Sequence, residues 1–264
     1  MAQIEPDDPP ICQVYNLGLV PYPQAWAAQR HWVAEHRHAP QPDRLLLLEH
    51  PPVYTLGQGS DPIHLKGAPE DLPYPLFRTE RGGEVTHHCP GQLVAYPILN
   101  LQRHRPDLHW YLRQLEEVIL GVLTMVGVEG QRQAGLTGVW VGNSKLAAIG
   151  IKVSRWITMH GFALNVCCDL RGFEAIVPCG IAQRSVGRLS QFCPGLTVDQ
   201  IRPLVIENFA RVFNLAMVYQ PDPAWGDQTL LPHTGCNETS VPSPLVGKDS
   251  DSGDRAATGQ FVAD

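Results

Sequence analysis

Nowhere in the 264-residue chain do 18 apolar residues run together, so no membrane-spanning helix is expected. No basic stretch leads into an apolar run at the start either. MAQIEPDDPP is acidic and proline-rich, which argues against a secretory signal and for the cytoplasm. The seven cysteines (Cys12, Cys89, Cys167, Cys168, Cys179, Cys193 and Cys236) include no CxxC pair. An odd count at irregular spacing leaves little basis for a disulfide framework or a structural zinc, so no metal is expected and most of these thiols read as small buried hydrophobes. Charge is also sparse. The net −6 comes from the ends: residues 1–10 hold three acids, and residues 221–264 hold seven acids and two bases. What remains between 11 and 220 is 16 acids against 18 Lys and Arg, about +2. That balance suits long-range steering of an acidic partner. It is too weak and too dispersed for nucleic acid. No internal repeat is present.

What the chain does have is 44% apolar residues and a clear succession of elements. Residues 11–18 alternate as an opening strand, and residues 22–37 read as a helix that stops before Pro40 and Pro42. RLLLLEH (44–50) is a buried strand closed by Pro51-Pro52. Two or three strand-like pieces occupy 76–101. Apolar positions 108, 111, 112, 115, 118, 119, 122, 123 and 126 follow a helical period behind Asp107, a candidate N-cap. GVWV, the Gly142-Asn143 turn and KLAAIGIKV read as a hairpin, with HGFALNVCC as the next strand. Thr197 and Gln200 form a capping box for the last helix. Strands outnumber helices and often follow each other directly. The expected fold is therefore of the α+β type, a mixed β-sheet packed with helices. One domain over 11–220 is expected, between a flexible 1–10 and a disordered 221–264.

The stretch RGGEVTHHCPGQL (81–93) brings Arg81, two glycine-bearing turns, two histidines and a cysteine together. Strand alternation places Val85 and His87 on one face and Thr86 and His88 on the other, so the histidines should not converge on one ion. Cys89 beside His88 resembles a Cys–His pair, but such pairs are usually distant in sequence, and a small residue filling a turn is the plainer reading. Lys145 follows the Gly-Asn turn. At a strand start it is either solvated or, if it points into a pocket, a usable base. Cys179 in VPCGI sits on a tight bend where backbone N–H groups can face a developing oxyanion. Taken alone, the residues do not rank it far above the other six. Gly161 and Ala163 share a strand face with Asn165, either as core packing or as a wall for a slender apolar ligand.

Four segments in order, RGGEVTHHCPGQLVAYPI (81–98), NSKLAAIGIKV (143–153), HGFALNV with Asp169-Leu170 (160–170) and VPCGI (177–181), resemble the lipoyl(octanoyl) transferase family over about residues 11–215. The resemblance implies a single domain with the fold of biotin and lipoate protein ligases. It implies transfer of an octanoyl group from acyl carrier protein to a lysine of lipoyl domains, those of 2-oxoacid dehydrogenase complexes and the glycine cleavage H protein, without a cofactor. Cys179 would carry the acyl thioester and Lys145 would activate it. The acyl site would be lined by Arg81, Gly82, Gly83, Glu84, Val85, Thr86, His87 and His88, with Ala148, Ile149, Gly150, Gly161, Phe162 and Ala163. Arg78, Arg155, Arg184 and Arg188 are candidates for the carrier-protein face. An ATP-dependent lipoate or biotin ligase, which needs no cysteine at 179, and a silent lipoyl-domain-binding module are the alternatives. One departure stands out: the family usually has glycine where this chain has Cys89.

Overall fold

The computed structural model describes residues 8–177 and 185–221, which leaves Cys179, Arg184, Cys236 and the 221–264 tail beyond Pro221 outside the described residues. Twelve strands and three α-helices are present among them. The chain runs β1 (Ile11–Leu19), α1 (Tyr22–His38), β2 (Asp43–Glu49) and β3 (Val53–Leu56), then β4 (Leu76–Arg78), β5 (Thr86–His88) and β6 (Gln92–Ile98). After α2 (Leu108–Met125) come β7 (Gln131–Gln133), β8 (Leu136–Val141), β9 (Ser144–Ser154), β10 (Ile157–Asn165) and β11 (Ser185–Val186). The last elements are α3 (Val198–Phe213) and β12 (Ala216–Tyr219).

The main sheet has the order β12-β1-β2-β6-β10-β9-β8-β7, with β11 paired to β9, and a second sheet has the order β4-β3-β5. Pairing is parallel for β12-β1, β1-β2 and β11-β9 and antiparallel through the rest of the main sheet, as a mixed sheet requires. The middle strands are buried on both faces, which is why β2 and β6 read as unbroken apolar runs.

Alternation still sorts those runs into two layers. Leu45, Leu47, Leu93, Ala95, Phe162 and Leu164 pack with α2 and α3. Leu46, Leu48, Val94, Tyr96 and Ala163 face the other way, with Ala25 and Val33 of α1. The small sheet has its own cluster, built on Tyr54, Val85 and Phe173. Both capping expectations hold. Asp107 accepts from the Trp110 N–H at 3.0 Å, and Thr197 with Gln200 completes a capping box. At β2 the buried Asp43 ties the sheet to the segment before α2 through Arg103, His104 and the Asn100 N–H. No helix of the described residues is long and apolar enough to cross a membrane.

One irregularity in the main sheet matters for the site. The β6–β10 ladder runs from Gln92↔Asn165 to Val94↔Ala163 and Ala95↔Phe162, is interrupted at Tyr96–Pro97, and backbone bonding resumes where the Thr158 N–H donates to the Leu99 carbonyl at 2.9 Å. Pro97 follows on β6 and has no N–H to give. Side chains take over. The Thr158 hydroxyl donates to the Pro97 carbonyl and accepts from the Leu99 N–H, both at 2.8 Å. The His160 N–H goes instead to Oε1 of Gln29 on α1, also at 2.8 Å. His160 adopts the left-handed region, φ 60°, where a non-glycine residue is strained. Next to it, a Cβ on Gly161 would lie 2.2 Å from the Ala95 carbonyl, so only glycine lets β6 and β10 stay this close.

Candidate active site

Between the second face of the main sheet and the small sheet lies a cavity of about 250 Å³. Its floor is made of cross-strand pairs of small residues, Gly150↔Gly161 and Ala148↔Ala163 on β9 and β10. Thr86 and His88 of β5 close it from above, with Arg81, Gly83, Glu84 and Val85 from the preceding loop. Ile149, Phe162, Val94 and Tyr96 add apolar wall, Tyr22 comes from the start of α1, and Lys145 stands at the head of β9. The loop is held in place by its own backbone, since Gly82 N–H donates to the Ile151 carbonyl at 2.8 Å. Arg81 is buried. Its guanidinium donates to the Thr55 hydroxyl and carbonyl and to the Gly82 carbonyl, so it braces the loop against β3.

Lys145 is half-buried, and its Nζ lies 5.4 Å from the centroid of the Trp140 ring, within cation–π range. Gly138 makes this placement possible. It has φ 125°, and a Cβ there would meet Lys145 Cε at 2.6 Å. The lysine backbone is fixed from the other side by β11, where Val186 is its register partner and the Gly187 N–H donates to its carbonyl at 2.9 Å.

A chain of amides links that point to His88. Asn165 Nδ2 donates to the Gly187 carbonyl, and Gln92 Nε2 donates to Asn165 Oδ1 at 2.8 Å. Gln92 Oε1 lies 2.7 Å from His88 Nδ1. With the Gln92 amide donating elsewhere, Nδ1 of His88 carries the proton and Nε2 does not.

The imidazoles around the cavity are held neutral. Burial pushes His88 well below its ordinary range, with His50 adding to the effect, and burial also lowers His160. His50, behind His88, bonds the Val20 carbonyl through Nδ1 (2.6 Å) and the Tyr96 hydroxyl through Nε2 (2.8 Å). Burial brings it down from 6.5 to about 4. A folded pKa below the unfolded one means the unfolded chain binds the extra proton, so stability is retained above pH 6.5 and lost as pH falls toward 4. The His50 share is about 3 kcal/mol. Urea titrations at pH 7.5 and 4.5 should show a smaller pH-dependent loss for His50→Gln than for the wild type. Equal losses would refute the assignment.

Arg81, Gly83, Glu84, Val85, Thr86, His88, Lys145, Ala148, Ile149, Gly150, Gly161, Phe162 and Ala163 are thus brought to one cavity. Gly82 and His87 are not among its lining residues. Gly82 is spent on Ile151. His87 points to the opposite face of β5, as alternation requires, and packs on Tyr54, Tyr74 and Phe173 with ring centroids 4.9–5.4 Å away. Of the four arginines, Arg184 lies outside the described residues and the other three do not share an element: Arg78 is on β4, Arg155 in the β9–β10 turn and Arg188 after β11, where it donates to the Cys168 carbonyl. Cys12, Cys89 and Cys168 are buried, Cys193 is half-buried and Cys167 is exposed. Tyr22, Val94, Tyr96, His160 and the Gly135–Thr137 segment line the cavity without having been singled out. Tyr96 and His160 lie inside the quoted motifs, so alternation with Val94 and Ala163 could have marked Tyr96. Nothing local marks Gly135.

Residues 21–210, which carry this sheet and the cavity beside Lys145, match the family model of the lipoyl protein ligase A/B catalytic domain. Among its relatives the chain is 58% identical over 218 residues to the octanoyltransferase of Synechocystis sp., covering 82% of this chain and 96% of the relative. It is 55% identical over 226 residues to that of Gloeobacter violaceus, covering 85% and 99%. The chain belongs to this family, with the octanoyltransferases, and is an acyltransferase. Solved structures share the fold at low identity. Lipoate-protein ligase A bound with ATP superposes with a TM-score of 0.68 at 14% identity over 83% of this chain and 92% of that one. A bipartite lipoate protein ligase from Thermoplasma acidophilum gives 0.62 at 13% over 83% and 91%.

Proposed function

We propose that this chain moves an octanoyl group from octanoyl-acyl-carrier protein to a lysine of lipoyl domains, by way of a thioester on Cys179. The observation that carries the reading is the cavity: a slot floored by two small cross-strand pairs and headed by Lys145, in a chain whose relatives are octanoyltransferases. A hydrocarbon chain is stabilised there by burial against Ala148, Ala163 and Ile149, and the neutral imidazoles set no charge beside it. The described residues that flank 178–184 are tied to the rest of the fold. The Val177 N–H donates to the His64 carbonyl, and Val186 pairs with Lys145.

In the first half-reaction the Cys179 sulfur attacks the donor thioester carbon as Lys145 takes the thiol proton. The C–S bond to the carrier's thiol then breaks, and that thiol regains a proton. One thioester replaces another, so acyl activation is retained without ATP. In the second half, the acceptor lysine attacks the Cys179 thioester. Lys145 accepts a proton from that amine and returns one to the leaving Cys179. The lipoyl domains of 2-oxoacid dehydrogenase complexes and the glycine cleavage H protein are the acceptors in this scheme.

The test is mass spectrometry of the protein after incubation with octanoyl-acyl-carrier protein and no ATP. A covalent octanoyl adduct on Cys179 that is absent from Cys179→Ser is expected. An adduct on Cys89, or a requirement for ATP, would overturn the mechanism.

A further inference from the structure

Cys89, the residue that departs from the family pattern, does not stand alone. Cys168, also buried, lies on the segment that abuts it: a Cβ on Gly91, two residues after Cys89, would meet the Cys168 Cα at 2.8 Å. The Cys89 Sγ also donates to the carbonyl of Asp169, the residue after Cys168, at 3.6 Å. The backbone around the two thiols is clamped. The Gly91 carbonyl accepts from both the Val166 and the Cys167 N–H, at 3.1 and 2.9 Å, and the Gly91 Cα lies against Cys168. Arg188 pins the Cys168 carbonyl at 2.8 Å. Two cysteines 79 positions apart in sequence are therefore held side by side, and no step of the transfer uses either of them. The Cys168 hydrogen bond, with the His87 imidazole adding to it, pulls the Cys89 thiol below the usual cysteine range despite burial. Cys167, the adjacent residue, is exposed, so the pair lies one residue below the surface.

We propose that Cys89 and Cys168 form a redox-modification site, in which a hydroperoxide converts the pair to a disulfide in the folded protein and closure weakens acyl binding. The Cys89 sulfur attacks the peroxide oxygen, forming an S–O bond and breaking O–O. The departing oxygen takes the Cys89 proton and leaves as alcohol or water. Cys168 then displaces the hydroxyl from Cys89, its own proton leaving with that hydroxyl as water. Two thiols lose two electrons and two protons, and the hydroperoxide is reduced by two electrons. Bonded sulfurs stand about 2.05 Å apart, closer than any thiol–thiol hydrogen bond. The difference is taken up by the turn that begins directly after His88, a cavity-lining residue. This second half rests on the reading of the cavity as an acyl site.

The experiment uses the full chain carrying Cys179→Ser, so that oxidation of Cys179 plays no part. After hydrogen peroxide, non-reducing peptide mapping should find Cys89 linked to Cys168, reversibly with dithiothreitol. Octanoate affinity by calorimetry should fall by roughly 10-fold or more on oxidation and recover on reduction. Adding Cys89→Ala should abolish both changes. Failure to find the linked peptide, or its formation with affinity unchanged, would overturn the proposal. If the reduced protein itself does not bind octanoate, the acyl reading of the cavity fails with it, while the mapping still reports on the thiol pair separately.

Discussion

Lys145→Ala is expected to slow octanoyl transfer by roughly 10²- to 10⁴-fold, the range typical of a lost proton-transfer group. Both half-reactions should suffer, because one side chain serves both. Single-turnover acylation of Cys179 and deacylation by a lipoyl domain are the two measurements. Lys145→Arg separates the roles. Arginine keeps a positive charge near Trp140 and Gly138 but does not give up its proton at accessible pH. If Lys145 moves protons, arginine leaves the defect in place. Rescue by arginine would mean that charge alone mattered, and the proton-transfer scheme would fall.

Ala163→Leu is expected to change which acyl chain the protein takes. Ala163 is buried on the cavity floor opposite Ala148, and a leucine there extends into existing space. An octanoyl chain that loses three or four methylenes' worth of burial gives up about 3 kcal/mol, or about 100-fold in kcat/KM. A butanoyl or hexanoyl donor ends before the obstruction and should lose far less. The ratio of kcat/KM between octanoyl and butanoyl donors is the readout, with circular dichroism as a control for folding. A uniform loss at every chain length would refute the assignment of this floor to the acyl tail.

Much of the fold was legible because its signals are local. The helix behind Asp107, the capping box at Thr197 and the hairpin at Gly142-Asn143 each depend on residues within a few positions of each other. The opposite orientations of His87 and His88 followed from strand alternation alone, and both are observed. The acyl-site residues were legible as motifs, but their convergence was not. That convergence depends on a second sheet folding over the first, and on α1 contributing Tyr22 from far along the chain. The nearness of Cys89 and Cys168 was equally hidden. It arises from the Gly91 turn docking on the end of β10, a long-range backbone contact with no periodic signature. Gly82 shows the complementary limit: it belongs to the motif because its N–H anchors the loop, and it does not itself reach the cavity.

The His160 amide has a consequence for the breathing of the molecule. It sits mid-strand in the main sheet, yet its hydrogen bond is to one glutamine on a helix and not to a neighbouring strand. Its exchange with solvent deuterium is therefore governed by how firmly α1 presents Gln29, while amides a few residues away, around Leu164, open only when strands part. The sheet carries a seam along one wall of its cavity. Loosening α1 should therefore expose the His160 amide before those around Leu164.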